Sequence, residues 1–160
     1  MDIKYVKPFL NAIQNVFQTM LSTEVTLDKP TVMKSKVEPA DVSSIIGFSG
    51  DATGCVVLSF PQDVAVKAAS AFAGMEIGVE SPDFADAIGE LANMVAGNAK
   101  KDFEGLNVSI SLPSVIMGAN HEVMASSVSP RIMIPCSCVF GSFYVEVGMV
   151  VDKIPVGASG

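Results

Sequence analysis

At 160 residues the chain has the length of one domain, residues 1–160, with room for a real core. Its residues are 49% hydrophobic and 17% charged, the balance of a well-packed globule. A net charge of −7 without any basic run excludes binding to a phosphate backbone and argues against an acidic lipid surface, so neither nucleic acid nor membrane is an expected partner.

Polar and charged residues interrupt every apolar run near the N-terminus, so no secretory signal is read there. No apolar stretch approaches the roughly 20 residues that span a bilayer. Cys55, Cys136 and Cys138 are odd in number and lack the spacing of a disulfide scaffold. They point to reduced thiols and a cytoplasmic setting.

Residues 3–21 read as a first amphipathic helix, with Val6, Phe9, Ile13, Val16, Phe17 and Met20 recurring at three and four. Pro8 fits only within about a turn of its start. Leu27-Asp28-Lys29-Pro30 breaks the chain. Residues 31–37 alternate, with Lys34 and Lys36 on one face, as in a half-exposed strand. Residues 42–48 and 54–60 are two further strands, and Ser49-Gly50-Asp51 between them signals a hairpin. A short Ala-rich helix follows from Pro61 to about Phe72 and stops at Gly74.

The longest pattern is residues 81–106. Ser81 is the expected N-cap, Pro82 the first helical residue, and Gly105 the stop. Phe84, Ile88, Leu91, Val95 and Ala99 fall on one stripe at about 100° per residue. Asp86, Glu90, Asn93, Gly97 and Glu104 fall opposite, with Glu90 and Asn93 about 60° apart. Asn93, Gly97 and Asn98 are poor interior helix formers. Close approach by another molecule is one reason to keep them: Gly supplies clearance, and Asn a donor and an acceptor. A plainly solvated face is the other reading.

Residues 107–112 form a strand ended by Pro113, and residues 114–129 read as a loop with one short strand near 122–125. Residues 132–139 and 143–151 make a last hairpin around Gly141, with Pro135 arguing for an edge or a bulge. Residues 152–160 read as a frayed tail. Helices and strands come in runs, so the expected class is α+β, with long helices on one side of a mainly antiparallel sheet. Each half places a long helix before a strand and a hairpin, a loose internal symmetry.

Other chemistry is weakly supported. Cys136-Ser137-Cys138 would point both thiols to one face of a strand, but only His121 is near as a further ligand, and no metal site is expected. His121 has no Ser or Cys nucleophile motif beside it and reads as a loop histidine. Gly47, Gly50 and Gly54 precede no helix carrying Gly-Lys, which weakens a nucleotide loop.

The segment Asp86-Ala-Ile-Gly-Glu90-Leu-Ala-Asn93-Met-Val-Ala-Gly-Asn-Ala-Lys100 resembles the signature helix of the CheC/CheX/FliY family of chemotaxis phosphatases, D/S-x-x-x-E-x-x-N followed at a distance by Pro. Lys4-Tyr-Val-Lys-Pro8-Phe and Ser111-Leu-Pro113-Ser-Val-Ile-Met-Gly118 extend the resemblance, which is nearest to CheX. It implies the family's pseudo-duplicated fold and hydrolysis of the aspartyl phosphate on a CheY-like response regulator. By that resemblance Glu90 would pair with a lysine of the receiver domain, and Asn93 would hold a water in line with phosphorus. Asp86 would contact the partner, and Gly97 with Ala96 would give clearance. Asn98 reads as a half-buried structural hydrogen-bonder. The chain would bind no cofactor, because the receiver carries its own Mg²⁺. The first helix offers Asn11-Ala-Ile-Gln14 with no matching acid, so one site per chain is expected, and CheX implies a homodimer through the sheet. Two readings stand beside this one. The first is a non-catalytic CheX-like domain that binds a signalling or flagellar partner. The second is a small-molecule module using the sheet and the loop after Pro113.

Overall fold

The computed structural model describes residues 3–33, 39–123 and 131–152. The expectations for Lys34 and Lys36, for the end of the short strand at 122–125 and for the tail beyond residue 152 lie outside the described residues.

The elements run α1 (Ile3–Leu21), β1 (Thr26–Leu27), β2 (Thr31–Met33), β3 (Ala40–Gly50), β4 (Ala52–Phe60), α2 (Gln62–Ala73), α3 (Pro82–Lys100), β5 (Val108–Ile110), β6 (Ser114–His121), β7 (Arg131–Cys138) and β8 (Gly141–Val151). The strands form one antiparallel sheet in the order β1-β7-β8-β4-β3-β5, with β2 also on β7 and β6 also on β3. Each edge is thus a broken ribbon, β1 then β2 on one side and β5 then β6 on the other.

Period-two alternation sends one set of side chains toward the helices. Val42, Ile46, Phe48, Val56, Leu58, Phe60, Ile132, Ile134, Phe143, Val145 and Val147 join the apolar faces of α1, α2 and α3 in a single core. Phe17 stacks on Phe143 at 4.9 Å, and Phe9 meets Phe48 at 5.7 Å and Phe103 at 5.6 Å. These rings pin the helix layer to the sheet. The class is α+β with its helices on one face, as expected. Among the described residues no helix is long and apolar enough to cross a membrane.

The internal symmetry is clearer in space than in sequence. Read from either edge, the sheet gives ribbon, first hairpin strand, second hairpin strand. Exchanging the halves sends β1 and β2 to β5 and β6, β7 to β3, and β8 to β4, and both α1 and α3 have 19 residues. Each ribbon pairs with the hairpin of the other half. The register makes the breaks equivalent too. Asp28 lies opposite Pro135, where its N–H reaches the Pro135 carbonyl at 2.9 Å, and Ser111 lies opposite Gly47, where its N–H reaches the Gly47 carbonyl at 2.9 Å.

Several details differ from the sequence expectations. β6 is a strand where a loop was expected. It is an edge strand exposed on most of its length, so it shows no apolar alternation. A register shift between Ala40 and Val42 of β3 and the left-handed Asn120 absorb the breakers that resembled a loop. β7 is no edge: Pro135 sits where the β1–β2 ribbon is broken, opposite the exposed Asp28, whose carbonyl can bond water in place of the missing N–H. Met20 is 37% exposed, beyond the buried stripe of α1. Helix α3 stops at Lys100, because the chain must turn to bury Phe103 against Phe9, and Gly105 takes its positive φ in the later turn. Pro61 is the N-cap of α2 and not its first residue, and the carboxylate of Asp41 accepts the N–H of Gln62 at 2.9 Å instead of a local cap.

Candidate functional site

Helix α3 begins as its sequence demands. Ser81 Oγ accepts the N–H of Asp83 at 3.2 Å, with Pro82 and Asp83 in the first turn and Lys100 in the last. Phe84, Ile88, Leu91, Val95 and Ala99 are wholly buried, and so are Ala92 and Ala96. The buried face is therefore wider than the five-residue stripe, and Ala96 offers no clearance to a partner.

Asp86 and Glu90 are exposed, and Asn93 and Gly97 half-buried. Among the described residues, no hydrogen bond or ion pair engages the side chain of Asp86, Glu90 or Asn93. A Cβ on Gly97 would meet nothing within 4 Å. The helix thus presents a carboxylate and a carboxamide three positions apart, side by side and free to bind, with open space one turn on from Asn93. Asn98 is half-buried, as expected.

Sequence reasoning misses Gly89. A Cβ there would stand 3.1 Å from Cγ of Pro113 and 3.5 Å from Cγ2 of Val115. The glycine lets the start of β6 press against α3 on the Asn93 side of that face. Its only sequence signal is that it is a further poor helix former in this helix. On the other flank, Lys4, Pro8 and Asn11 of α1 line an open cleft with Lys101 and Asp102, so α1 and α3 run antiparallel.

The remaining chemical groups sit on the sheet face away from the helices. Contrary to the sequence reading, His121 does have a serine beside it: Nε2 is 2.7 Å from Ser43 Oγ, which is 2.8 Å from Ser59 Oγ. The two residues are far apart in the chain, and the β3–β6 pairing brings them together. The Gly118 carbonyl, 2.8 Å from Nδ1, can only accept, so Nδ1 donates to it. Ser43 is wholly buried, which makes this chain a structural tie and not a nucleophile. Nearby, Arg131 Nη1 lies 3.0 Å from Glu146 Oε2, with both side chains buried. Burial pushes the Glu146 carboxyl up, and Arg131 opposes that shift.

All three cysteines are free. Cys136 faces the core opposite Phe143, and burial pushes its thiol up to about 12. Among the described residues no three His, Cys, Asp or Glu side chains gather where they could hold a metal.

The family model for the chemotaxis phosphatase CheX matches residues 42–137, which include all of α3. The CheY-P phosphatase CheX of Thermotoga maritima is 29% identical over 131 residues, covering 80% of this chain and 84% of that protein. The crystal structure of a CheX from Desulfovibrio desulfuricans is similar at a TM-score of 0.85 and 33% identity, over 91% of this chain and 99% of that one. A CheX–CheY–BeF3–Mg²⁺ complex from Borrelia burgdorferi shares the fold at a TM-score of 0.76 and 24% identity, over 91% and 97% of the two chains. With a matching helix, a matching sheet and a family model over more than half its length, the chain belongs to the CheX family of chemotaxis phosphatases.

Proposed function

We propose that this chain accelerates hydrolysis of the aspartyl phosphate on a CheY-like receiver domain, in chemotaxis or related two-component signalling in the cytoplasm. One observation carries the reading: Glu90 and Asn93 stand on one open face of α3, with no side-chain partner among the described residues. The relative from T. maritima is a CheY-P phosphatase.

An acyl phosphate is already activated, and its hydrolysis passes through a loose transition state. The catalyst needs positioning and electrostatics more than a strong base. Asn93 enters the receiver's pocket and orients a water in line with phosphorus. Its neutral carboxamide can donate to one group and accept from the water without repelling the phosphoryl oxygens. Glu90 would repel those oxygens, so it pairs with a cation of the receiver and fixes the helix in place. Asp86 borders the contact one turn earlier, and the open space at Gly97 receives the partner's surface. Mg²⁺ belongs to the receiver, as the composition of the B. burgdorferi complex suggests. The outer edge of β6, without a strand partner among the described residues, suits pairing with a second copy in a homodimer.

The test follows phosphate loss from receiver domains labelled with a small phosphodonor. Wild type speeds the decay, Asn93→Ala returns it to the receiver's own rate, and Glu90→Ala weakens binding. Decay that wild type leaves unchanged for every receiver of the same cell would sink the reading.

A further inference from the structure

The two broken ribbons provide an internal control. In each, a backbone N–H reaches across to the hairpin strand, a residue follows, and then a proline opens the second ribbon strand. The sequences are Asp28-Lys29-Pro30-Thr31 and Ser111-Leu112-Pro113-Ser114. The residue before proline is exposed in both. In the first half it is a lysine, ordinary for a solvated loop. In the half that carries Glu90 and Asn93 it is Leu112, 88% exposed and the most exposed large apolar side chain among the described residues. Single exposed apolar residues are common. Here the equivalent position of the other half carries a charge instead.

The backbone at Leu112 is also tethered. Ser111 Oγ accepts the N–H of Gly47 at 2.9 Å and donates to the Leu112 carbonyl at 2.9 Å. Pro113 keeps the preceding backbone extended and rests on Gly89. Gly89 and Asn93 are one turn apart on α3, about 40° around its axis. The loop therefore borders the exposed face on its Asn93 side.

We propose that Leu112 is the apolar anchor of the docking face, seated in an apolar depression at the rim of the receiver's phosphorylation pocket. This rests on the receiver-phosphatase reading. The helix face itself offers charge and carboxamide, which orient a partner but hold it weakly through water. An apolar side chain on a tethered backbone beside it supplies affinity with little backbone ordering cost, and its shape selects among receivers.

The experiment replaces Leu112 by its counterpart, Leu112→Lys, with Leu112→Met as the conservative control. In decay assays on a receiver that wild type dephosphorylates, Leu112→Lys raises KM about tenfold at unchanged kcat, and Leu112→Met stays within about twofold of wild type. Asn93→Ala shows the opposite pattern, a loss of kcat. Titration with the BeF3-activated receiver reads the same residue without turnover, as about a tenfold weaker Kd. Unchanged KM and Kd in Leu112→Lys overturn the anchor, and so does a change in sedimentation with KM unchanged, which would assign Leu112 to contact between copies. A wild type that binds the activated receiver through Leu112 yet never speeds decay removes the phosphatase reading and leaves the anchor standing.

Discussion

The missing Cβ of Gly89 would stand 3.1 Å from Cγ of Pro113, so these two residues set how closely α3 lies against β6. The ring cannot easily yield, because Ser111 is tied to Gly47 and Ser114 pairs with Ile45. Gly89→Ala should therefore destabilise the protein by about 1 kcal/mol, overpacking outweighing the better helix propensity of Ala. In a Pro113→Ala background the same change should stabilise by about 1 kcal/mol. Urea unfolding of the four proteins in the cycle checks the change of sign.

Gly97 is the opposite case, with open space where a side chain would go. Gly97→Ala should raise stability by about 1 kcal/mol. Gly97→Gln should fold equally well and raise KM for the phosphorylated receiver, because the added side chain fills the room the partner needs. Thermal unfolding and decay kinetics together separate the two effects.

Asp41 fastens two distant elements: its carboxylate accepts the N–H of Gln62 at 2.9 Å and of Asn120 at 3.1 Å. These bonds hold its pKa below the usual aspartate value. A carboxyl with a depressed folded pKa adds stability above its unfolded pKa and loses it as pH falls through the folded one. Asp41→Asn should thus be less stable than wild type near neutral pH, and the gap should close below about pH 4. Urea midpoints measured from pH 7 downward test this.

Much of the fold is legible in the sequence wherever burial is one-sided. The stripe of α3 repeats over five residues and is read correctly. The adjacency of Glu90 and Asn93 follows from helix geometry alone. Edge strands are harder. β6 has few buried side chains to print a pattern, and β1 has two residues. Contacts between distant segments, such as Ser43 with His121, leave no local signal.

The Arg131–Glu146 pair is another such contact. Neither Glu146 Oε2 nor Arg131 Nε has a hydrogen-bond partner among the described residues, so the 3.0 Å approach is an ion pair off the hydrogen-bond axis. Removing one partner leaves a buried charge, and Arg131→Met should cost about 3–5 kcal/mol at neutral pH. Glu146 then loses its counter-charge and its pKa rises further. A raised folded pKa favours the protonated native state, so the deficit should widen as pH rises through it and shrink below it. Arg131→Met combined with Glu146→Leu should recover most of the loss, as measured by guanidinium unfolding.

The exchange of edge ribbons bears on how the chain is made. Thr26 pairs with Ser137, more than a hundred positions away, and β3 waits for β5 and β6 to cover its outer side. As synthesis proceeds, the first hairpin emerges with an open edge and its own ribbon has nowhere to dock. Neither half can close before the other arrives, so folding must be a late, slow and concerted event in which partly made chains expose strand edges to their neighbours.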